Sequence, residues 1–181
     1  MKKFLQFSGL IAAVVAIVAF ILMLACPAIK YTPKIGDPTY IDGVVGIFGK
    51  TASTDIGGFN ISGQVYKATV SAIIAFILLI AAIVILLVGA ILPLFKITVL
   101  NKFSGLLNLI ALAACVVAGV LIFIEVPCFA AAQSTENVQW STDGYALGAG
   151  WIISAICAIV AGALAIAPAF ANFLAKGKKH K

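Results

Sequence analysis

The sequence predicts an all-α membrane protein, a four-transmembrane-helix bundle with a small extracytoplasmic β-hairpin or sheet. Three observations predict it. Of 181 residues, 64% are hydrophobic and 10% charged, against about 45–50% and about 25% in a soluble domain. Four windows, residues 4–29, 68–95, 103–124 and 144–175, contain no Asp, Glu, Lys, Arg or His. Each exceeds the roughly 20 residues that a helix needs to cross a hydrocarbon core about 30 Å thick. The lysines and the acids, finally, segregate to opposite ends of those windows, as the positive-inside rule requires.

The chain therefore reads as one four-span membrane domain over 1–181. The spans are expected near 7–27, 69–95, 105–126 and 148–171, with outer loops at 28–68 and 127–147 and an inner loop at 96–104. The first span follows Lys2 and Lys3 and ends in Leu24-Ala25-Cys26. Its apolar run is longer than the 7–15 residues of a signal peptide, and Leu24 fits a lipoprotein cleavage site poorly, so this span is expected to be retained. Pro27, Pro93, Pro127 and Pro168 sit near predicted span ends, where a missing backbone N–H is better tolerated than at mid-membrane.

With both termini cytoplasmic, the inner segments hold Lys2, Lys3, Lys96, Lys102, Lys176, Lys178, Lys179 and Lys181 and no acid. Asp37, Asp42, Asp55, Glu125, Glu136 and Asp143 all fall outside, beside Lys30, Lys34, Lys50 and Lys67. That asymmetry predicts a plasma or cytoplasmic membrane protein with cytoplasmic N- and C-termini. In the tail, Lys176, Lys178, Lys179 and Lys181 can attract anionic lipid headgroups at about 1 kcal/mol each near the surface.

Small residues recur at four-residue spacing, among them Gly9 with Ala13 and Ala12 with Ala16, then Ala111, Cys115 and Gly119, and Ala158 with Gly162. Such steps let helix backbones approach where lipid supplies no hydrophobic drive, so these residues are read as helix packing. In the first outer loop, the β-branched and aromatic runs at 40–48 and 58–66 flank a turn-rich Lys50-Thr-Ala-Ser-Thr-Asp55, which predicts an antiparallel hairpin with that segment as its turn. Asn60-Ile-Ser62 in this loop is a formal glycosylation sequon.

Ionisable groups within a bilayer usually mark ion or proton pathways, and none falls deep within these spans. Asn108, Ser71 and Ser154 are expected to bond their own or a neighbouring helix. A lone tail histidine, His180, and acids confined to outer loops offer no enzymatic constellation. Glu125 and Glu136 are expected to be solvated loop acids. The expectation is thus no catalysis, cofactor, metal site, nucleic acid or small-molecule substrate. Of the four cysteines, Cys115 and Cys157 lie within spans, whereas Cys26 and Cys128 lie at outer span ends. A disulfide between Cys26 and Cys128 is open to them if their Cα atoms come within about 7 Å.

This layout resembles the superfamily of claudins and peripheral myelin proteins. Gly46-Ile47-Phe48 stands where that family has Gly-Leu-Trp, and Tyr31 lies near the place of its earlier Trp. Tyr145-Ala-Leu-Gly-Ala-Gly150-Trp151, followed by Gly162, looks like its Leu-Gly, Gly-Trp and later Gly pattern. The family's paired first-loop cysteines are absent, with Thr51 near the first position, so no loop disulfide is carried over. The resemblance implies a sheet in the first outer loop. The expected function is that of a structural, adhesive or scaffolding tetraspan acting through its outer loops and lateral helix contacts, with the bilayer, a second copy or another membrane protein as partner. Gly46, Ile47, Phe48, Phe59 and Trp140 are the candidate contacts. The alternative is an oligomeric channel, since hydrophobic constrictions can gate without charge, or an accessory subunit of a membrane complex.

Overall fold

The four long apolar helices of the computed structural model turn mostly small residues inward and most of their large aliphatic ones outward. Residues 2–56, 59–91, 104–136 and 138–177 are described. Helices α1 (Lys2–Ala25), α3 (Val70–Ile91), α4 (Ser104–Phe123) and α6 (Ala149–Gly177) are each long and apolar enough to cross a membrane. At 1.5 Å per residue, the 22 residues of α3 reach about 33 Å. The helices pack in a ring, with α1 against α3 and α6, and α4 against α3 and α6. One half of the interior is almost entirely small, built from Ala12, Ala13, Ala16, Ala82, Ala111, Ala114, Cys115, Ala161 and Ala165 around Leu86. Ile77, Ile80, Val84, Val117, Val120, Ile153 and Ile156 lie on the exposed surface. Apolar exposure on this scale suits lipid rather than water as surroundings, and close backbone approach supplies the contact energy that water would otherwise drive.

The other half of the core holds the bulky side chains, including Met23, Ile29, Ile47, Leu79, Ile122, Phe129 and Trp151. A cap assembled from both long loops closes this end. Strand β1 (Pro27–Tyr31) lies between β2 (Thr39–Asp42) and β5 (Tyr145–Leu147), antiparallel to both, with Ile29 opposite Ile41 and Leu147. Short helix α2 (Gly43–Phe48) follows β2, and strands β3 (Lys50–Ile56) and β4 (Phe59–Tyr66) form a separate antiparallel hairpin. Helix α5 (Glu125–Gln133) leaves the end of α4 and packs on the start of α3 and on β5.

Prolines set two of these transitions. Pro27 disfavours helical geometry at Cys26, and α1 stops at Ala25. Pro127 cannot donate to the Phe123 carbonyl, and α4 stops at Phe123. The third long helix is thus shorter than the expected 105–126, and Glu125 lies beyond it, opening a separate helix that runs into the expected outer loop.

The first loop also departs from expectation. The run at 40–48 is split between β2 and α2, and the expected turn at 50–55 is strand β3. The hairpin joins at 57–58, outside the described residues, with Ile56 paired to Phe59. Residues 92–103 also lie outside the description, which leaves the far end of the predicted second span and nearly all of the inner loop without structural detail. So do Lys178, Lys179, His180 and Lys181, and the side chain of Lys176.

Candidate functional site

The capped end concentrates the side chains that carry specific interactions. Helix α2 exists because two glycines let it lie flat on its neighbours. A Cβ at Gly43 would run into the Met23 carbonyl, and one at Gly46 would come within 2.7 Å of Ala28 Cβ and 3.7 Å of the Trp151 ring. Ile47 beside them is fully buried. Gly46 and Ile47 therefore belong to the core of the cap, which corrects their reading as contact residues. Phe48 differs. It is 52% exposed, its ring standing edge-on to Phe76 of α3 at 5.4 Å, and Phe76 leans on Phe20 of α1 at 5.2 Å. Val44, one turn earlier on α2, is exposed as well and forms a short apolar ridge with it.

Trp140 is half-buried, its ring between Phe129 of α5 and Tyr145 of β5 at 6.2 and 5.9 Å. Tyr66 touches Phe129 at 6.0 Å, and Tyr145 touches Tyr31 at 4.6 Å. The resulting aromatic chain from Tyr66 to Tyr31 joins the two loops through pairs worth about 0.5–1.5 kcal/mol each beyond their burial. Phe59 is placed on β4, opposite Ile56; its side chain lies outside the described residues.

Trp151 is fully buried, and its indole N–H donates to the Met23 carbonyl at 2.9 Å. One turn along α6, the Ser154 hydroxyl donates to the Ala19 carbonyl at 2.7 Å. These bonds pin α6 to α1 at two heights. The packing residues read from the small-residue spacing lie between α4 and α6: Ala111, Cys115 and Ala158 are fully buried. A Cβ added to Gly119 would strike Ile159, and one added to Gly162 would press on Leu112, Cys115 and Val116. Their interface is within the chain. Cys26 and Cys128 are free thiols in this structure, so the disulfide left open to them is not formed, and Cys26 lies against Gly150 instead.

The sequence reading missed the polar ties of α5. The Gln133 side chain accepts from the Lys67 N–H and donates to the Lys67 carbonyl, both at 2.9 Å, a two-way clamp on the segment leading into α3. Glu125, expected to be solvated, is fully buried, whereas Glu136 is exposed as expected. The Ser71 hydroxyl donates to Glu125 Oε2 at 2.6 Å, while Glu125 Oε1 and the neighbouring Thr69 hydroxyl have no hydrogen-bond partner. Burial pushes the Glu125 carboxyl up to about 7, against the opposing pull of the Ser71 and Thr69 hydroxyls. Its place two residues before Pro127, just past a charge-free run, was the available signal. Among the described residues, no three His, Cys, Asp or Glu side chains gather as a metal site would require.

No protein-family model and no curated protein matches this chain.

Proposed function

We propose that this chain is a non-enzymatic structural, adhesive or scaffolding tetraspan of a plasma or cytoplasmic membrane, working through its capped face and lateral helix contacts. The lysine distribution supports cytoplasmic termini and a cap on the outer side. A cap that interleaves both outer loops over four crossing helices also fits the resemblance to the claudin and peripheral myelin protein superfamily, and membership of it is part of this proposal.

The observation that carries the reading is the ridge of Val44 and Phe48, apolar and exposed, with Phe48 seated on Phe76. Phe76 lies six residues into α3, about 9 Å along its axis from the capped end. On this reading Phe48, seated on Phe76, lies at the depth of the outer leaflet. Such a ridge suits a second copy or another membrane protein in the same bilayer.

Energy transfer between donor- and acceptor-labelled copies in one proteoliposome population tests this. Phe48→Ala removes a single edge-on ring pair, worth about 0.5–1.5 kcal/mol, so the variant should stay folded while transfer falls. Ile156→Ala, on the exposed face of α6, should leave transfer unchanged. Equal transfer in folded Phe48→Ala and the parent would make the ridge a lipid contact and refute the proposal. Conductance in a planar bilayer would replace it with the channel reading, and clustering of separate vesicles would redirect it to head-on adhesion.

A further inference from the structure

The burial of Glu125 is independent of the proposed role and has a consequence of its own. The carboxyl sits in the first turn of α5, held by Ser71 of α3 through Oε2 alone. Its second oxygen is orphaned, and so is Thr69 Oγ1, itself 1% exposed and close enough to act on the same carboxyl. Among the described residues, Glu125 has no ion-pair partner. The titratable groups on the surrounding elements are Tyr66 at the end of β4, exposed Lys67 after it, Tyr145 on β5, Cys115 on α4 and Cys128 on α5 itself; α3 carries none.

An ionised carboxylate here would keep its charge without water on one oxygen and without a cation beside it. That arrangement is costly, and buried acids ordinarily escape it by holding a proton. A proton on Oε1 also converts an orphan acceptor into a donor, next to the Thr69 oxygen that lacks a partner. A metal ion fits less well, because calcium takes six to eight oxygens, and the Glu125, Ser71 and Thr69 side chains offer only four between them.

We propose that Glu125 is a neutral carboxylic acid in the folded protein and acts as a proton-operated clasp between α5 and the start of α3. With the proton bound, Ser71 and Thr69 hold the helix down. When the proton passes to outside water, the carboxylate turns toward solvent and α5 lifts, carrying Phe129 and the aromatic chain with it.

The test uses the full chain in lipid nanodiscs without added metal, at pH 5 to 9. Infrared difference spectra should show a neutral-carboxyl C=O band at pH 6 that is missing in Glu125→Gln and titrates away with a midpoint near 7. Hydrogen exchange over 125–133, corrected for its intrinsic pH dependence, should rise with the same midpoint in the parent and stay flat in Glu125→Gln. Ser71→Ala, which removes a bond that the clasp makes only while the proton is bound, should move the midpoint to lower pH, and it decides the matter alone if Glu125→Gln does not fold. The clasp is overturned by absence of the band at pH 6, by opening that follows pH equally in Glu125→Gln, or by a Ser71→Ala midpoint that does not fall. It is equally overturned if sodium or calcium at fixed pH closes α5 in the parent, because a cation rather than a proton would then be the occupant.

Discussion

Replacing Gly46 by alanine separates a packing role from a contact role at the residue where the two readings diverge most. The added methyl would stand 2.7 Å from Ala28 Cβ, about 1 Å inside the 3.5–4.0 Å at which carbon atoms pack comfortably. Ala28 is fully buried on the central strand β1, between β2 and β5, so neither side can retreat without moving the sheet or α2. Overpacking of this kind costs about 1–3 kcal/mol, offset by the roughly 0.5–1 kcal/mol that alanine gains over glycine in a helix. A net loss of about 1–2 kcal/mol is expected. Ala28→Gly alone should cost about as much, through a lost methyl and a looser strand. The double variant moves the methyl from β1 to α2 and should return to within about 1 kcal/mol of the parent, an interaction energy of about 1–3 kcal/mol. The assay is reversible unfolding in a mild detergent, followed by circular dichroism, with energy transfer between labelled copies measured alongside. Additive losses would refute the packing argument. Lowered transfer at unchanged stability would restore Gly46 as a contact residue.

Three further outcomes follow from the same cap. Trp151→Phe should lose about 1–3 kcal/mol by leaving the buried Met23 carbonyl without its indole donor, read as a lowered unfolding midpoint. Gln133→Ala breaks both bonds to Lys67 and should cost about 1–3 kcal/mol, with protease cleavage after Lys67 rising before global unfolding; cleavage unchanged from the parent would count against the clamp. Finally, the folded Glu125 carboxyl lies at about 7 against an ordinary 4.5, so between these values the folded state holds the extra proton. Stability should then be greatest at and below about pH 4.5, fall as pH rises through 7 and level off above it. The loss is about 3 kcal/mol, and Glu125→Gln should abolish that slope.

The crossing helices were legible because lipid imposes a length and forbids charge, and both demands are written in composition. Their ends were less so. The span expected to run to 126 stops at Phe123, since the proline at 127 removes the donor that would have continued it. The hairpin was legible in kind but not in register. Val44 and Val45 have strand propensity, yet the glycines at 43 and 46 serve the close approach of a helix to β1 and α1, a tertiary demand. Lys50–Asp55 reads as a turn by its Ser, Thr and Asp content, whereas threonine also suits strands and Gly57-Gly58 is the stronger hairpin signal. Glu125 was illegible as a buried group because burial of an acid depends on what folds over it, here α5 and Ser71, which lies 54 residues earlier.

The ridge and the clasp share one support, because Phe48 rests on Phe76 of α3 and Glu125 is held by Ser71 of the same helix. Five residues separate Ser71 from Phe76, which at 100° per residue sets them about 140° apart around the axis. Ser71 accordingly faces α5, while Phe76 faces α1 and α2. A rigid helix with its two partners on opposite flanks transmits little unless it moves as a body, and α3 is packed against both α1 and α4. Release of α5 should therefore expose Phe129 and loosen Trp140 while leaving Phe48 seated. Energy transfer between copies should then show the same dependence on Phe48 at pH 6 and pH 8, even as exchange over 125–133 changes. A ridge whose contribution vanished together with the clasp would require α3 itself to shift, and the Phe20–Phe76 contact would be the place to detect it.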